Sequence, residues 1–293
     1  MVVELSNSDA SVQIAPELGA SLLSYSLRDG RHILRPRPEA TDPFQTACYL
    51  LAPWCNRMDG GFALPSGEWQ AIAPNHSAHP LPIHGSAAQQ AWTVESNSSE
   101  HAVLSTICDS PAPFHYCARV QYRLTDAALE ISLSVQHLGE GALPYGLGLH
   151  PWFARTKASR LQATATHWQR TDARLIPIAC DPVETGSDLD FNMLRGLPTG
   201  LIDTAFSGWN GQATIQISDD LSVAIRTSPT LRHYQVYSTG EHADFVCFEP
   251  VTHPINAHNM RDYPGLQVLE SGEQASITVN FSPNSGINHV ASV

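Results

Sequence analysis

Polar and apolar residues alternate with a period of two over much of this chain. The alternation is plain at residues 11–14, 118–124, 129–135, 213–217, 221–225, 233–237 and 276–281. Successive side chains of a strand point to opposite faces, so each run predicts a strand with one face on a core and the other toward solvent. Turn-forming residues fall between the runs: Asp29-Gly30, Asp126, Gly139 and Gly141, Asp219-Asp220, Gly240 and Gly272. The 21 prolines and 19 glycines fit many short connections. No sustained helical period occurs, and only two short helices are expected, near residues 87–91 and 188–194. No internal repeat, low-complexity stretch or Pro/Gly/Ser linker divides the chain. The expected architecture is all-β: a single domain over residues 1–293, built as a large antiparallel β-sandwich with its function in long loops.

Residues 36–84 interrupt the alternation. The segment is rich in Pro, Gly, Asn and His, but it carries Phe44, Tyr49, Trp54, Phe62 and Trp69, and this aromatic content predicts that it packs. A long irregular segment inside a compact β domain is usually functional or disordered. Composition narrows the partners. The chain is 42% hydrophobic and only 15% charged, with a formal net charge of −12, which repels nucleic acid and anionic membranes alike. No apolar run approaches a membrane span. The start, Met1-Val2-Val3-Glu4-Leu5, lacks the basic and apolar regions of a secretory signal, so a cytoplasmic protein, monomer or homodimer, is expected. The six cysteines form no Cys-x-x-Cys pair and are expected to be reduced, most of them as small buried hydrophobes.

Candidate chemistry gathers in short clusters. In Pro53-Trp54-Cys55-Asn56-Arg57-Met58-Asp59-Gly60-Gly61, Arg57 offers a rigid fork of donors for an oxygen-rich ligand, or is a solvated side chain on a surface turn. In Leu81-Pro82-Ile83-His84-Gly85, His84 has an apolar approach and is either a site residue or a satisfied core histidine. His76 and His79 lie near it without a zinc spacing, so no metal is expected. In Gly146-Leu147-Gly148-Leu149-His150-Pro151-Trp152-Phe153, His150 is followed by aromatic residues that could form a flat wall for a sugar or cap a strand end. Glu249 ends the apolar run Phe245-Val246-Cys247-Phe248, where partial desolvation would raise its pKa toward that of a general base; the alternative is an exposed strand-end carboxylate. Asp203 interrupts an apolar pattern and is either a ligand or a turn residue. Nucleophile-elbow, P-loop and dinucleotide motifs are absent.

Taken together, the clusters resemble the aldose 1-epimerase (galactose mutarotase-like) family. The resemblance rests on Asn56-Arg57 with Gly60-Gly61, His84-Gly85 with Trp92, Gly148 to Phe153, Asp203 with Phe206, and Phe248-Glu249-Pro250 with Thr252, in the family's order. It implies a galactose mutarotase-like supersandwich binding a small-molecule sugar in a shallow cleft on one sheet, without metal or organic cofactor. It implies that Glu249 takes the proton of the C1 hydroxyl, that His150 protonates the ring oxygen and that His84 assists at the reacting oxygens. Arg57, Asp203, Asn56 and Trp152 would contact the sugar. Trp152 stands where many members have tyrosine, which removes a hydroxyl. The expected reaction interconverts the α and β anomers of a free aldose, with carboxylate and imidazolium working from opposite sides of the ring. A hexose-6-phosphate epimerase and a non-catalytic sugar binder are the alternatives. Only 16 lysines and arginines, and no Arg after Gly85, weigh against phosphate.

Overall fold

The computed structural model describes residues 1–285. Every alternating run named above is a strand. Residues 118–124 lie within Tyr116–Thr125 and residues 129–135 within Ala128–His137, and these two strands turn at Asp126, which takes a left-handed φ of 51°. Strands 212–218 and 221–227 turn at Asp219-Asp220.

Two large antiparallel sheets dominate, as the alternation predicted. An eleven-stranded sheet runs in the order Val3–Ser6, Ala10–Ala15, Ser21–Leu27, Cys48–Leu51, Gly148–Ala154, Phe245–Val251, His233–Ser238, Ile202–Ser207, His167–Thr171, Pro177–Pro182, with His32–Leu34 paired to Ser21–Leu27. A nine-stranded sheet contains Gln212–Ser218, Leu221–Thr227, Gln274–Ser285, Ala128–His137 and Tyr116–Thr125 in its middle. Side chains of both sheets share one core; the Phe153 ring lies 6.4 Å from that of Phe281. Among the described residues no helix is long and apolar enough to cross a membrane.

The three central strands of the larger sheet are continuous apolar runs because both of their faces are covered. In Phe245–Val251, Val246 and Phe248 enter the inter-sheet core while Glu249 faces the other way. In Gly148–Ala154, Leu149 and Phe153 face the core, and His150 and Trp152 the other side. Cys48–Leu51 divides in the same way, with Cys48 and Leu50 in the core and Tyr49 and Leu51 opposite.

Two expectations fail locally. The helix near 87–91 shrinks to a single 3-10 turn, Ala87–Gln89, and residues 188–194 form turns, because neither segment has an apolar stripe long enough to propagate a helix. Within 36–84, Tyr49, Trp54 and Phe62 are buried and Phe44 is half-buried, but Trp69 is 57% exposed on a short outer hairpin. All six cysteines are free; Cys48, Cys55, Cys108 and Cys247 are buried, Cys117 is half-buried and Cys180 exposed.

Candidate active site

The register of the larger sheet sets functional side chains in two rows on its outer face. Tyr49 lies opposite His150, and Gln235 lies opposite Glu249. Gly148 pairs with Val251 and Trp152 with Cys247, so His150 falls opposite Glu249. The first row therefore reads Tyr49, His150, Glu249, Gln235 across four strands. The second reads Trp152, Cys247, Tyr237, Asp203. Strand neighbours stand about 4.8 Å apart, close enough for side chains in a row to touch.

The segment 52–60 and the turn at His84 close over these rows. Asn56 and His84 both adopt left-handed backbone conformations, with φ of 56° and 59°. Each holds the other: the His84 N–H donates to the Asn56 carbonyl (3.0 Å), and the Asn56 N–H donates to His84 Nδ1 (3.1 Å). Because Nδ1 accepts, the proton of the neutral ring sits on Nε2. The Asn56 amide donates to Gln235 Oε1, and its own oxygen accepts from the Arg57 N–H (2.8 Å) and from Arg57 Nη1 (3.1 Å). Arg57 Nη2 reaches Asp203 Oδ2 at 3.2 Å, and both side chains are 13% exposed. Arg57 is thus not a solvated surface residue, and Asp203 sits in the strand Ile202–Ser207 rather than in a turn.

These groups line one cleft of about 370 Å³, at the small end of the range for ligand pockets. Arg57, His84, His150, Asp203, Asn56, Trp152 and Glu249 all border it, so the structure brings every proposed site residue together. Trp92 and Thr252, by contrast, only brace the scaffold. The Trp92 indole donates to the Ala87 carbonyl, and the Thr252 hydroxyl accepts from the Leu147 N–H.

His150 Nε2 and Glu249 Oε1 stand 3.1 Å apart, with side chains 5% and 3% exposed. Glu249 is the fifth of seven residues in its strand, not its end, so the exposed-carboxylate alternative is excluded. The imidazole is sandwiched between Tyr49 (4.4 Å, 19°) and Trp152 (5.4 Å, 24°), and His84 meets it edge-on at 5.1 Å. Burial disfavours charge on every group here. It pushes the Glu249 carboxyl well above its usual range, with the Asp203 charge adding to the rise and Arg57 opposing it. It lowers His150 to about 3 and His84 well below 6.5, the latter also through the neighbouring His150 and Arg57. One expectation is corrected: the carboxylate and the imidazole lie side by side rather than on opposite sides. Burial disfavours an imidazolium in the resting pair.

Gln235, Tyr49 and Tyr237 were not marked by the sequence reading. Gln235 and Tyr237 occupy the polar positions of an alternating run, a face the period-two rule assigns to solvent; here it is the floor and wall of a cleft. Tyr49 was hidden in an apolar run. Buried Glu249 Oε2 and Gln235 Nε2 have no hydrogen-bond partner in the protein, and Glu249, which borders the cleft, is a point at which a polyol could bond. Among the described residues no three His, Cys, Asp or Glu side chains converge as a metal site. His76 pairs with Asp42 at 2.9 Å instead.

Comparison with known proteins identifies the family and the fold. The family described as aldose 1-epimerase matches residues 1–282. The uncharacterized protein YphB of Escherichia coli (strain K12) is 29% identical over 257 residues, covering 85% of this chain and 88% of YphB. A solved E. coli K12 structure superposes with a TM-score of 0.92 at 25% identity, covering 97% of this chain and 99% of the other. The galactose 1-epimerase of Lactobacillus acidophilus NCFM shares the fold with a TM-score of 0.76 at 18% identity, over 97% and 94% of the two chains. On the match across almost its whole length, this chain belongs to the aldose 1-epimerase family.

Proposed function

We propose that the protein interconverts the α and β anomers of a free aldose by acid–base ring opening, with Glu249 and His150 as the proton-transfer pair. The observation that carries this reading is their placement, 3.1 Å apart and side by side at the floor of a sugar-sized cleft. The hydroxyl and ring oxygens of a hemiacetal are both bonded to C1. A base and an acid that are neighbours on one side can therefore reach both oxygens, and this pair is so placed.

The proton inventory closes. The resting pair holds one proton, on the Glu249 carboxyl, and its passage across the 3.1 Å contact to His150 Nε2 gives a carboxylate and an imidazolium. Glu249 then takes the O1 proton as C1=O1 forms and the C1–O5 bond breaks, and O5 takes the proton from His150 Nε2. The open aldehyde turns about C1–C2. O5 then attacks the other face of C1, its proton returns to His150, and Glu249 returns its proton to O1. In the ring-opened state the pair is a carboxylic acid and a neutral imidazole, the uncharged form that burial favours. The site thereby stabilises the enzyme form that accompanies the less stable open sugar. His84, neutral and carrying its proton on Nε2, serves as a hydrogen-bond donor to the reacting oxygens. Arg57, Asp203 and Asn56 bind hydroxyls, and Trp152, stacked on His150, walls the cleft beside the proton-transfer pair.

Among the described residues Arg57 is the single lysine or arginine bordering the cleft, and it is already engaged by Asp203. Arg232, the other cation considered for a phosphate, donates to the Pro229 carbonyl outside the cleft. A free sugar therefore fits better than a phosphorylated one. The test is polarimetry on freshly dissolved α-D-glucose and α-D-galactose. The protein should speed equilibration well above buffer, and Glu249→Gln should slow it at least about 10²-fold, the usual scale of acid–base assistance, while sugar binding persists. Equilibration no faster than buffer with either sugar would overturn the reading.

A further inference from the structure

Two leucines stand at the cleft on the side away from the proton-transfer pair. Leu175 sits at the tip of the hairpin between His167–Thr171 and Pro177–Pro182, the last two strands of the larger sheet. Leu201 is 65% exposed and lies two residues before Asp203, with which it borders the cleft. Leu175 adopts a left-handed backbone with φ of 63°, unusual for a residue carrying a branched apolar side chain.

The hairpin tip is fastened in that conformation from both sides. Asp172 Oδ1 accepts from the Arg174 N–H (2.8 Å) and the Ile176 N–H (3.0 Å), and the Leu175 N–H donates to the Asp172 carbonyl (3.0 Å). Arg174 grips both carboxylate oxygens of Asp59 at 2.9 and 3.2 Å. Asp59 in turn is held by its N–H on Asn256 Oδ1 (3.0 Å). The latch joins the hairpin to the Arg57 segment across the rim. A conformation disfavoured for leucine and so thoroughly fixed points to a role for the side chain it presents.

That role follows from where the sugar must lie. C1 and O5 belong at His150 and Glu249. The strand Ile202–Ser207 is two positions away from Phe245–Val251 in the sheet, about 10 Å. The carbons remote from C1 therefore extend toward Asp203 and, past it, toward Leu175 and Leu201. Neither leucine can bond a charged group, and Arg174, next to Leu175 in the chain, is engaged by Asp59 and Asp172.

We propose that Leu175 and Leu201 are specificity-determining residues, forming an apolar lip that admits neutral aldoses and turns away those with a phosphate or carboxylate on the carbons remote from C1. The inference rests on the epimerase reading above and adds to it the residues that set the substrate class. The test compares kcat/KM for D-glucose and D-glucose 6-phosphate in the wild type, Leu201→Arg and Leu175→Asn; asparagine tolerates the left-handed backbone, and residue 201 is exposed. Leu201→Arg should shift the phosphate-to-free ratio at least tenfold toward phosphate. Leu175→Asn should raise KM for free glucose three- to tenfold with kcat within twofold. Ratios and KM within twofold of wild type in both variants would overturn the lip. If the wild type turns over neither sugar, the epimerase reading fails. The lip is then judged by equilibrium titration of the same proteins with the same two sugars, followed through tryptophan fluorescence with Trp152 in the cleft wall. The same tenfold shift in the ratio of dissociation constants supports it, and its absence overturns it.

Discussion

In the proposed mechanism the chemical unit is one proton held by two buried side chains, His150 and Glu249. Burial lowers His150 to about 3 and raises Glu249 well above an ordinary carboxyl. The two are in contact, so any titration seen in kinetics belongs to the pair and not to one residue. With two protons the pair holds no base, and with none it holds no acid; only the one-proton form works. Because burial pushes the two steps apart, that form should span neutral pH with room on both sides. The pH profile of kcat/KM, measured by polarimetry against buffer blanks, should show no acid limb near 6.5, the ordinary histidine value, and an alkaline limb well above the ordinary carboxyl value. An acid limb at the ordinary histidine value would mean that His150 works as a solvated imidazolium, contrary to its position between Tyr49 and Trp152.

Single elements carry a different kind of constraint, and Gly85 shows it. Its φ is +68°, and an added Cβ would lie 2.0 Å from the Ala52 carbonyl oxygen. That carbonyl accepts from the Ser86 and Ala87 N–H groups at 2.8 and 3.1 Å, tying the His84 turn to the end of the strand Cys48–Leu51. Gly85→Ala should therefore cost about 2 kcal/mol of stability and, by displacing His84, at least about tenfold in kcat/KM. Gly30→Ala makes the contrast. Its φ is +91° with nothing within 4 Å, so it should lose stability alone. Thermal melts and initial rates on both variants check this, and equal activity loss in the two would break the link between the turn and the site. The same scale explains what could be read in advance. The two-sided sheet strands announced themselves by alternation because one face met solvent. His150, Glu249 and His84 were recognisable through the glycine, proline and aromatic residues that their tight surroundings require. Gln235 and Tyr49 were not, because alternation tells which side a residue faces and not whether a loop from elsewhere roofs that side over. Whether His150 and Glu249 flank a sugar from one side or two was equally out of reach, since it depends on the register between two strands about 100 residues apart in sequence.

At the scale of the whole molecule, the site adds to a set of histidines that the fold keeps neutral. His253 Nε2 accepts from the Cys55 N–H, and His258 bonds the Pro144 carbonyl; burial lowers them to about 3 and about 4. His233 is likewise lowered to about 4, and His84 and His150 are lowered by the same cause. A folded-state pKa below the unfolded value gives stability that is present above the unfolded value of 6.5 and lost as pH falls through the folded one. Each such histidine takes up a proton on unfolding below pH 6.5, which costs about 1.4 kcal/mol per pH unit. Glu249, raised by burial, works in the opposite direction and offsets about one of the five above its unfolded value of 4.5. The net slope there is about 6 kcal/mol per pH unit, set against a typical total of about 5–15 kcal/mol. Cooperative acid unfolding should follow between about pH 5 and pH 3. Because burial lowers His150 into the same range, the proposed proton-transfer pair should not titrate before the fold fails. Circular dichroism and kcat/KM, followed down in pH on one sample, should therefore decline together. Activity lost a full unit above the unfolding transition would show that a group in the cleft gains its proton in the intact protein.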